Sequence, residues 1–590
     1  MSLLDVDNLS VRLPGESRTL VEGLSFSIDP GESVALAGES GSGKTQTALA
    51  IMGLSPSGSV VEGDIRFRDE SLTDVTEARH REIRAGGMAM VFQDPSSALN
   101  PHLRVGRQMT LVLEEHGIAS RAEAREKVLE MLARTGLPDP KRQAEAYPWQ
   151  LSGGMRQRVM IASALITEPA LLIADEPTTA LDTTVQAQIL DLIRSLQAET
   201  GVALLLVTHD FGVIANSSDR LLVIDGGKPV ESGDTAAVLA APTAAPTRRL
   251  LEASRLQKRF AEAPADAEPV LDARSVSVVY HDRPLGRIWH RQSLEAVHPT
   301  DLSLRRGETL AIVGESGCGK SSLARAILGL TPPASGKLFY CGKAIPTPLA
   351  QRDPASVAAL QMVFQDPVGS LNPAWGLGRS VAEPLRGLAK AERQARVDTA
   401  FERVGLPAEL QTRFPHQVSG GQAQRAALAR ALITQPDVLV CDEAVAALDA
   451  PTRQEILSLL VREQKEHGLS ILFISHDLAV VSRLSHRLIV MYLGNVVESG
   501  PSEAVFARPR HPYTRALLDA MLSVDRPQGK IKLLPGEPPS PLSPPSGCAF
   551  NPRCGFAEDN CRELRPEPRP FAGELVACHR AEALDLATDV

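Results

Sequence analysis

Two glycine-rich loops that end in lysine and a hydroxyl residue lie 276 residues apart in this chain. Residues 38–45 and 314–321 both fit G-x-x-x-x-G-K-[ST], in which backbone N–H groups cradle phosphates. In such loops the lysine reaches the outer phosphates and the final hydroxyl ligates Mg²⁺. The loops predict two nucleotide sites with these ligands: Gly38, Ser40, Gly41, Gly43, Lys44, Thr45, Gly314, Ser316, Gly317, Gly319, Lys320 and Ser321.

The residues around each loop predict the elements that hold it. Apolar runs at 33–37 and 309–313 are typical of buried strands, and helix formers follow the loops at 47–51 and 323–327. A strand, a phosphate loop and a helix in this order place the loop at a helix N-terminus, where phosphate binds. The pattern predicts an α/β fold with a parallel sheet.

Each loop is followed by the same ordered set of shorter motifs. The second set repeats the first at a constant offset of 267 residues through the later motifs, so the chain contains an internal duplication. The matching residues are Gln93, Ser152, Gly153, Gly154, Asp175, Glu176, Asp182 and His209 in the first half. In the second half they are Gln365, Ser419, Gly420, Gly421, Asp442, Glu443, Asp449 and His476.

The acidic pairs carry the predicted hydrolytic chemistry. Asp175 and Asp442 each end an apolar run, which places them at the carboxyl edge of a parallel sheet, where α/β folds bind ligands. The adjacent Glu176 and Glu443 are therefore candidates to activate or orient the attacking water. We predict two sets of Mg²⁺ ligands: Thr45, Gln93 and Asp175, and Ser321, Gln365 and Asp442.

The order and the residues of these motifs resemble those of the ATP-binding cassette (ABC) ATPases over nearly the whole chain. The resemblance implies that each half contains a RecA-like core, an antiparallel β subdomain and an α-helical subdomain. It implies that His209 and His476 sense the γ-phosphate and that Asp182 and Asp449 lie in the ATP sites. In the second half, Tyr280 is similar to an aromatic residue that stacks on adenine.

The two Ser-Gly-Gly motifs predict contacts between the halves. A Ser-Gly-Gly that opens a helix offers N–H donors and a positive dipole end to an anion. By the family resemblance, each motif caps the ATP that the opposite half holds. Lys44 would then share a nucleotide with Ser419 and Gly421, and Lys320 with Ser152 and Gly154.

Domain boundaries follow from the duplication and from stretches rich in Ala and Pro. We predict a first ATPase domain at 1–250, a linker at 251–269, a second ATPase domain at 270–510 and a C-terminal extension at 511–590. The net charge of −9 without a Lys/Arg block argues against nucleic acid as the main partner. The sequence shows neither a secretory signal pattern nor a run of about 20 apolar residues, so we expect a soluble, cytoplasmic chain.

Residues 508–518 resemble the His-Pro-Tyr-Thr element of ATPases that power oligopeptide, dipeptide, nickel and glutathione importers. This resemblance implies two fused ATPase subunits beneath two integral-membrane permease subunits, peripheral at the cytoplasmic face of the inner membrane. An extracytoplasmic substrate-binding protein would supply the cargo, for which peptides are favoured while nickel and glutathione stay open. Soluble twin-cassette ATPases of the ribosome or of DNA repair are the alternative, although the short linker and the absence of Cys-x-x-Cys disfavour them.

Four of the seven cysteines, Cys548, Cys554, Cys561 and Cys578, lie within 31 residues of the extension. Disulfides seldom persist in a reducing cytoplasm, so this group of four cysteines is interpreted as a metal site. Its spacers are longer than the close pairs of most zinc sites, which favours a [4Fe–4S] cluster over Zn²⁺. The extension has few large apolar side chains, so we expect it to need this bound metal site to fold.

Overall fold

The structure is a computed structural model that describes residues 2–15, 19–73, 75–179, 181–255, 267–282, 292–446, 448–524 and 533–587. Within these ranges no helix is long and apolar enough to cross a membrane. Most of the linker predicted at 251–269 lies outside the described residues.

The first half is organised around a six-stranded sheet whose strands are parallel except at one edge. Its central strands are buried along their whole length, because helices cover both faces and select continuous apolar runs. In sheet order the strands are Lys228–Asp234, Arg220–Asp225, Ser33–Ala37, Ala203–Thr208, Leu171–Asp175 and Met88–Val91. The phosphate loop leaves Ser33–Ala37 in the middle of this sheet.

A separate antiparallel sheet and a group of helices complete the first half. The antiparallel strands, in sheet order, are Val21–Ile28, Leu4–Arg12, Val60–Phe67 and Glu70–Ser71. The helices are Lys44–Ile51, Glu77–Gly86, Pro95–Ala98, Val105–Glu115, Arg121–Arg134, Pro140–Ala144, Gly153–Leu165, Thr183–Thr200, Phe211–Ser217, Thr235–Ala240 and Ala245–Ser254, with a 3₁₀ turn at Pro148–Gln150. These layers agree with the three predicted parts of a cassette.

The second half repeats this plan with a wider main sheet. Its strands, in order, are Leu360–Val363, Val438–Asp442, Ser470–Ile474, Thr309–Val313, Arg487–Tyr492, Asn495–Pro501, Glu574–Val576 and Arg569–Phe571. The antiparallel sheet has the order Gln292–Arg305, Pro269–Asp282, Ser335–Tyr340 and Lys343–Ile345. The last two strands of the main sheet come from the C-terminal extension.

The helices of the second half also match those of the first in order. They are Lys320–Ile327, Pro354–Ala359, Pro367–Ser370, Leu377–Val381, Lys390–Arg403, Gly420–Leu432, Ala450–His467, Leu478–Leu484 and Ser502–Ala507, followed by Pro512–Asp519 and Asp559–Glu563 in the extension. Short 3₁₀ turns lie at Leu349–Gln351, Glu383–Leu385, Ala408–Thr412, Pro415–Gln417 and Asn551–Arg553.

The C-terminal extension is docked onto the second half. Its strand Glu574–Val576 pairs antiparallel with Asn495–Pro501 of the cassette. Phe550 packs edge-on against Tyr492 and contacts Tyr513, with ring centroids 5.3 Å apart in each pair. The fully buried aromatic cluster and the shared sheet anchor the extension to the cassette, apart from the four cysteines.

Candidate functional site: two nucleotide sites between the halves

Both phosphate loops are held tightly against neighbouring backbone. Gly43 has a φ of 97°, and a Cβ added there would lie 2.7 Å from the carbonyl oxygen of Leu20. Gly319 has a φ of 104°, with the matching Cβ 2.3 Å from the carbonyl oxygen of Ala296. The two glycines are needed both for their left-handed backbone and for this close approach.

The loop lysines are poised inside the cradles. Lys44 Nζ donates to the carbonyl oxygens of Gly38 and Glu39 at 2.9 and 2.8 Å, and Lys320 Nζ does the same to Gly314 and Glu315 at 2.6 and 3.0 Å. Burial lowers the pKa of Lys44, although the nearby carboxylates of Glu176 and Asp175 work in the opposite direction. A phosphate would therefore meet a cation that is already desolvated and aimed into the loop.

Two of the three predicted magnesium ligands of each half lie together, while Gln93 and Gln365 donate to Glu176 and Glu443 instead. Thr45 Oγ1 donates to Asp175 Oδ1 at 3.3 Å, and Ser321 Oγ donates to Asp442 Oδ1 at 2.8 Å. Burial is the main reason that the pKa of Asp175 rises to about 6, and it raises the pKa of Asp442 as well. Hydroxyl and carboxylate oxygens beside a phosphate cradle suit a hard cation such as Mg²⁺, which would also relieve the buried charge.

Glu176 is held by three polar side chains at the end of its strand. His209 Nδ1 lies 2.9 Å from Oε1, while Gln93 Nε2 and Thr179 Oγ1 donate to Oε2 at 2.7 and 3.0 Å. Burial opposes the charged form, but the hydrogen bonds from His209 and Thr179 outweigh it and lower the pKa to about 2. Glu176 is thus an ionised carboxylate suited to orient water.

Glu443 occupies the same position in the second half. Gln365 Nε2 donates to its Oε2 at 2.7 Å, and His476 Nδ1 lies 3.2 Å from its Oε1. Burial again opposes ionisation, and the contact with His476 is the main cause that lowers the pKa. Glu176 and Glu443 have φ angles of 47° and 50°, a left-handed backbone that few non-glycine residues adopt.

Ser152 and Ser419 cap the helices that follow them. Their hydroxyl oxygens accept hydrogen bonds from the backbone N–H groups of Met155 and Gln422 at 3.1 and 3.3 Å. Both serines are exposed, and the helices Gly153–Leu165 and Gly420–Leu432 begin directly after them. The structure therefore presents each Ser-Gly-Gly as a helix N-terminus open to an anion.

Direct contacts join the halves at the second phosphate loop. Ser316 N–H donates to Asp182 Oδ2 at 3.3 Å, and Thr184 Oγ1 lies 2.6 Å from Glu315 Oε1. Thr183 Oγ1 also donates to the carbonyl oxygen of His476 at 2.8 Å. The start of the helix after Asp182 therefore contacts the phosphate loop and His476 of the opposite half.

The first phosphate loop also faces the second half. The negative charge of Asp449 acts on the Lys44 ammonium across the interface. Ser419 and Gly421 line a cavity of about 890 Å³ together with Arg249, whose guanidinium bonds to Glu39 of the first loop at 2.7 Å. Lys44 does not line this cavity, so the sharing of one nucleotide by Lys44, Ser419 and Gly421 stays a prediction.

Other predicted site residues differ in how closely they approach the loops. Tyr280 is partly exposed beside the second loop, where its hydroxyl donates to Ser322 Oγ at 3.2 Å. Thr179, Thr184 and Glu315 contact the site but were not predicted. The capping pattern after Asp182 marks Thr184 as the start of a helix, but nothing in the sequence indicates its partner across the interface.

The four cysteines of the extension are free thiols near one another. The pKa of Cys578 rises to about 11 because of burial and of the charges of Cys548, Cys554 and Cys561. Burial also raises the pKa of Cys548 and Cys554. Within the described ranges, however, no three His, Cys, Asp or Glu side chains are placed to hold a metal ion, so the predicted [4Fe–4S] cluster is unsupported.

Comparison with known proteins places the two halves in one family. The family model described as ABC transporter matches residues 21–179 and 297–446. The model described as Oligopeptide/dipeptide transporter, C-terminal region, matches residues 497–561. The second match begins in the cassette strand on which the extension docks, so it spans the junction and not the extension alone.

Three curated relatives are similar along most of their length, and each is named Glutathione import ATP-binding protein GsiA. The Pectobacterium atrosepticum protein is 42% identical over 585 residues, covering 92% of this chain and 93% of the relative. The Escherichia coli K12 and O6:H1 proteins are 43% and 44% identical, and each alignment covers 88% of this chain and 89% of the relative.

Proposed function

The chain belongs to the ABC transporter family and is an ATPase with two cassettes, and we propose that it powers the import of glutathione or a related short peptide. The alternative of a soluble ATPase that acts on ribosomes or DNA is not favoured, because the relatives are named as import subunits. The single observation that carries the proposal is the pairing of two complete cassettes with a peptide-transporter C-terminal region.

The proposed reaction begins with ATP held in each loop. Lys44 and Lys320 leave their carbonyl partners and donate to the outer phosphates. Bound Mg²⁺ would offset the charge of the transferred phosphoryl group, held by the Thr45–Asp175 and Ser321–Asp442 pairs. The opposite Ser-Gly-Gly then completes each site through its helix N-terminus.

Glu176 and Glu443 orient the attacking water in this scheme. Each carboxylate is already aligned by a histidine and a glutamine, so little reorganisation is needed when the halves close on ATP. A pKa of about 2 makes Glu176 a weak base in the resting protein. Its main role is therefore to accept a hydrogen bond from the water and fix its direction.

The proposed partners are two integral-membrane permease subunits, with an extracytoplasmic binding protein that delivers the cargo. The chain would then lie at the cytoplasmic face of the inner membrane as a peripheral subunit. The relatives' names support glutathione as the cargo, whereas the C-terminal match supports peptides more broadly. Glutathione is itself a small peptide, so both matches predict that the transporter carries a small peptide and not a metal ion.

Uptake by the reconstituted transporter tests this function. The chain is co-purified with its proposed permease subunits and placed in proteoliposomes with ATP inside. The proposed binding protein is then added with labelled glutathione, a dipeptide or Ni²⁺. We expect ATP-dependent uptake of glutathione or the dipeptide, and none with a Glu176→Gln/Glu443→Gln chain. Uptake of Ni²⁺ alone, or co-purification with ribosomes instead of permeases, would contradict the proposal.

The four cysteines are proposed to form a thiolate site of the extension, with a [4Fe–4S] cluster favoured over Zn²⁺. The mutual effect of the thiols on their pKa values supports their proximity, and cluster assembly would require them to move closer and lose protons. The aromatic contacts of Phe550 with Tyr492 and Tyr513 add a second attachment of the extension to the cassette, apart from the cysteines.

Anaerobic purification distinguishes the two metals. A cluster predicts a brown protein with about four irons per chain, as ligation of a cubane by four thiolates requires. Colourless protein with zinc would contradict the cluster, and metal-free protein would contradict both. Cys341→Ser, which removes an exposed cysteine outside the group, is the matched control for Cys548→Ser and should keep its metal.

A further inference from the structure

The second phosphate loop contains a buried carboxylate that pairs with the C-terminal extension. Arg553 Nη1 and Nη2 lie 2.6 and 3.0 Å from the two carboxylate oxygens of Glu315. The side chains of Arg553 and Glu315 are only 4% and 2% exposed. This is a two-point pair shielded from water, the geometry in which arginine fixes a carboxylate most firmly.

Glu315 is itself part of the phosphate cradle. Its carbonyl oxygen accepts a hydrogen bond from Lys320 Nζ at 3.0 Å, and its N–H donates to the Tyr513 hydroxyl oxygen at 2.8 Å. Its carboxylate also contacts Thr184 of the first half. Whatever holds the Glu315 side chain therefore also sets the loop backbone that faces the phosphates.

The extension reaches the opposite wall of the same site. Arg553 Nε donates to the carbonyl oxygen of Pro535 at 3.1 Å. The neighbouring carbonyl oxygen of Leu534 accepts a hydrogen bond from Gln188 of the first half at 2.9 Å, and Gln188 in turn bonds to Arg158. Arg158 lies on the helix Gly153–Leu165 that begins after Ser152, so the extension spans both walls of the site built on Lys320.

The first phosphate loop has a much weaker counterpart. Glu39 pairs with Arg249 at 2.7 Å, but these side chains are 33% and 56% exposed. Water and salt screen such a pair, so its loss changes little. The two ATP sites are therefore unequal for a reason that lies outside their shared motifs.

We propose that Arg553 is a positioning residue for the second ATP site, acting through Glu315. Its charge neutralises the buried carboxylate, so that the phosphates of ATP meet a loop of net positive potential. Without Arg553, Glu315 would present an unpaired negative charge to a polyphosphate, or would move and shift the loop backbone. This inference rests on the proposed ATP site at Lys320.

Binding of Mg-ATP to the full chain, with one site silenced, tests the inference. In a Lys44→Ala background, which leaves the second site, Arg553→Met should raise the dissociation constant by about tenfold or more, as the loss of one partner of a buried charge pair implies. Adding Glu315→Gln should restore affinity to within about threefold, since removal of both charges leaves neither unpaired. In a Lys320→Ala background, Arg249→Met should change first-site affinity by less than about threefold.

The controls separate this inference from folding and from the proposed site. Arg553→Met in the Lys320→Ala background should bind ATP normally at the first site, which a misfolded chain would not do. Should Arg553→Met fail to fold, Arg553→Lys keeps the charge without the two-point geometry and should give an intermediate affinity. Unchanged second-site affinity in Arg553→Met, or no rescue by Glu315→Gln, would overturn the inference. ATP binding that survives Lys44→Ala/Lys320→Ala would instead contradict the proposed sites.

Discussion

Replacing Glu176 or Glu443 with glutamine should stop hydrolysis while leaving ATP binding intact. The amide keeps the size of the carboxylate but has a single acceptor oxygen. At Glu176 three partners surround the carboxylate, with Gln93 and Thr179 both donating to Oε2. The substitution therefore either turns an NH₂ group toward two donors or breaks the contact with His209.

The size of the effect follows from the role of the carboxylate. Misplacing a reacting group by about 1 Å costs about 10²-fold in rate, which corresponds to about 3 kcal/mol of barrier. The pKa of about 2 shows that its surroundings stabilise the negative charge, and a neutral amide forfeits this stabilisation. We expect steady-state turnover to fall by well over tenfold in either single variant, because ATP trapped in one site keeps the halves closed.

Single-turnover hydrolysis of radiolabelled ATP by the reconstituted complex measures this directly. Each variant should retain labelled ATP where the unsubstituted chain releases ADP. Glu199→Gln is the matched control, because Glu199 is an exposed carboxylate on the helix Thr183–Thr200 and should leave turnover unchanged. Hydrolysis at the unsubstituted rate in Glu443→Gln would remove Glu443 from the mechanism, and the same result in Glu176→Gln would remove Glu176.

Two further predictions test the loop and the docked extension. Gly43→Ala should abolish ATP binding at the first site, since its Cβ would lie 2.7 Å from the Leu20 carbonyl oxygen. Gly41→Ala, with nothing within 4 Å of its Cβ, should cost only about 1–2 kcal/mol of backbone strain. Equal losses of ATP affinity in the two variants, measured by equilibrium titration, would contradict this. Burial raises the pKa of Glu498 to about 7, so its protonated form stabilises the fold at low pH, and this contribution is lost as pH rises from about 4.5 to 7. Between pH values of about 5 and 8, calorimetry should show that the free energy of unfolding falls by up to about 3 kcal/mol more in the unsubstituted chain than in Glu498→Gln. An equal fall in both chains would contradict the prediction.

The sequence predicts the parts of the site that depend on local geometry. A phosphate loop requires a buried strand before it and a helix after it, so Lys44 and Lys320 can be located without a structure. The placement of Asp175 and Glu176 at the carboxyl edge of the sheet follows from the apolar run that they end, whereas the bond between Gln93 and Glu176 is known only from the structure. These features repeat in both halves because each depends on a short segment of chain.

The features that the sequence does not predict arise between distant segments. Arg553 and Glu315 are 238 residues apart, and no local pattern marks either as a partner of the other. The extension looked poor in apolar residues, yet Phe550 completes an aromatic cluster whose other members belong to the cassette and to the His-Pro-Tyr-Thr element. Residue type does not predict the left-handed backbone of Glu176 either, because glutamate seldom adopts it.

Nucleotide trapping shows directly whether each ATP is shared between the halves. The chain carrying Ser152→Arg is incubated with photoreactive ATP and vanadate in the reconstituted complex, and the labelled peptides are assigned to each half by mass spectrometry. We expect loss of label at the loop of Lys320, with the Lys44 loop labelled as in the unsubstituted chain. Loss of label at Lys44, in the same half as the substitution, with normal labelling at Lys320 would contradict it.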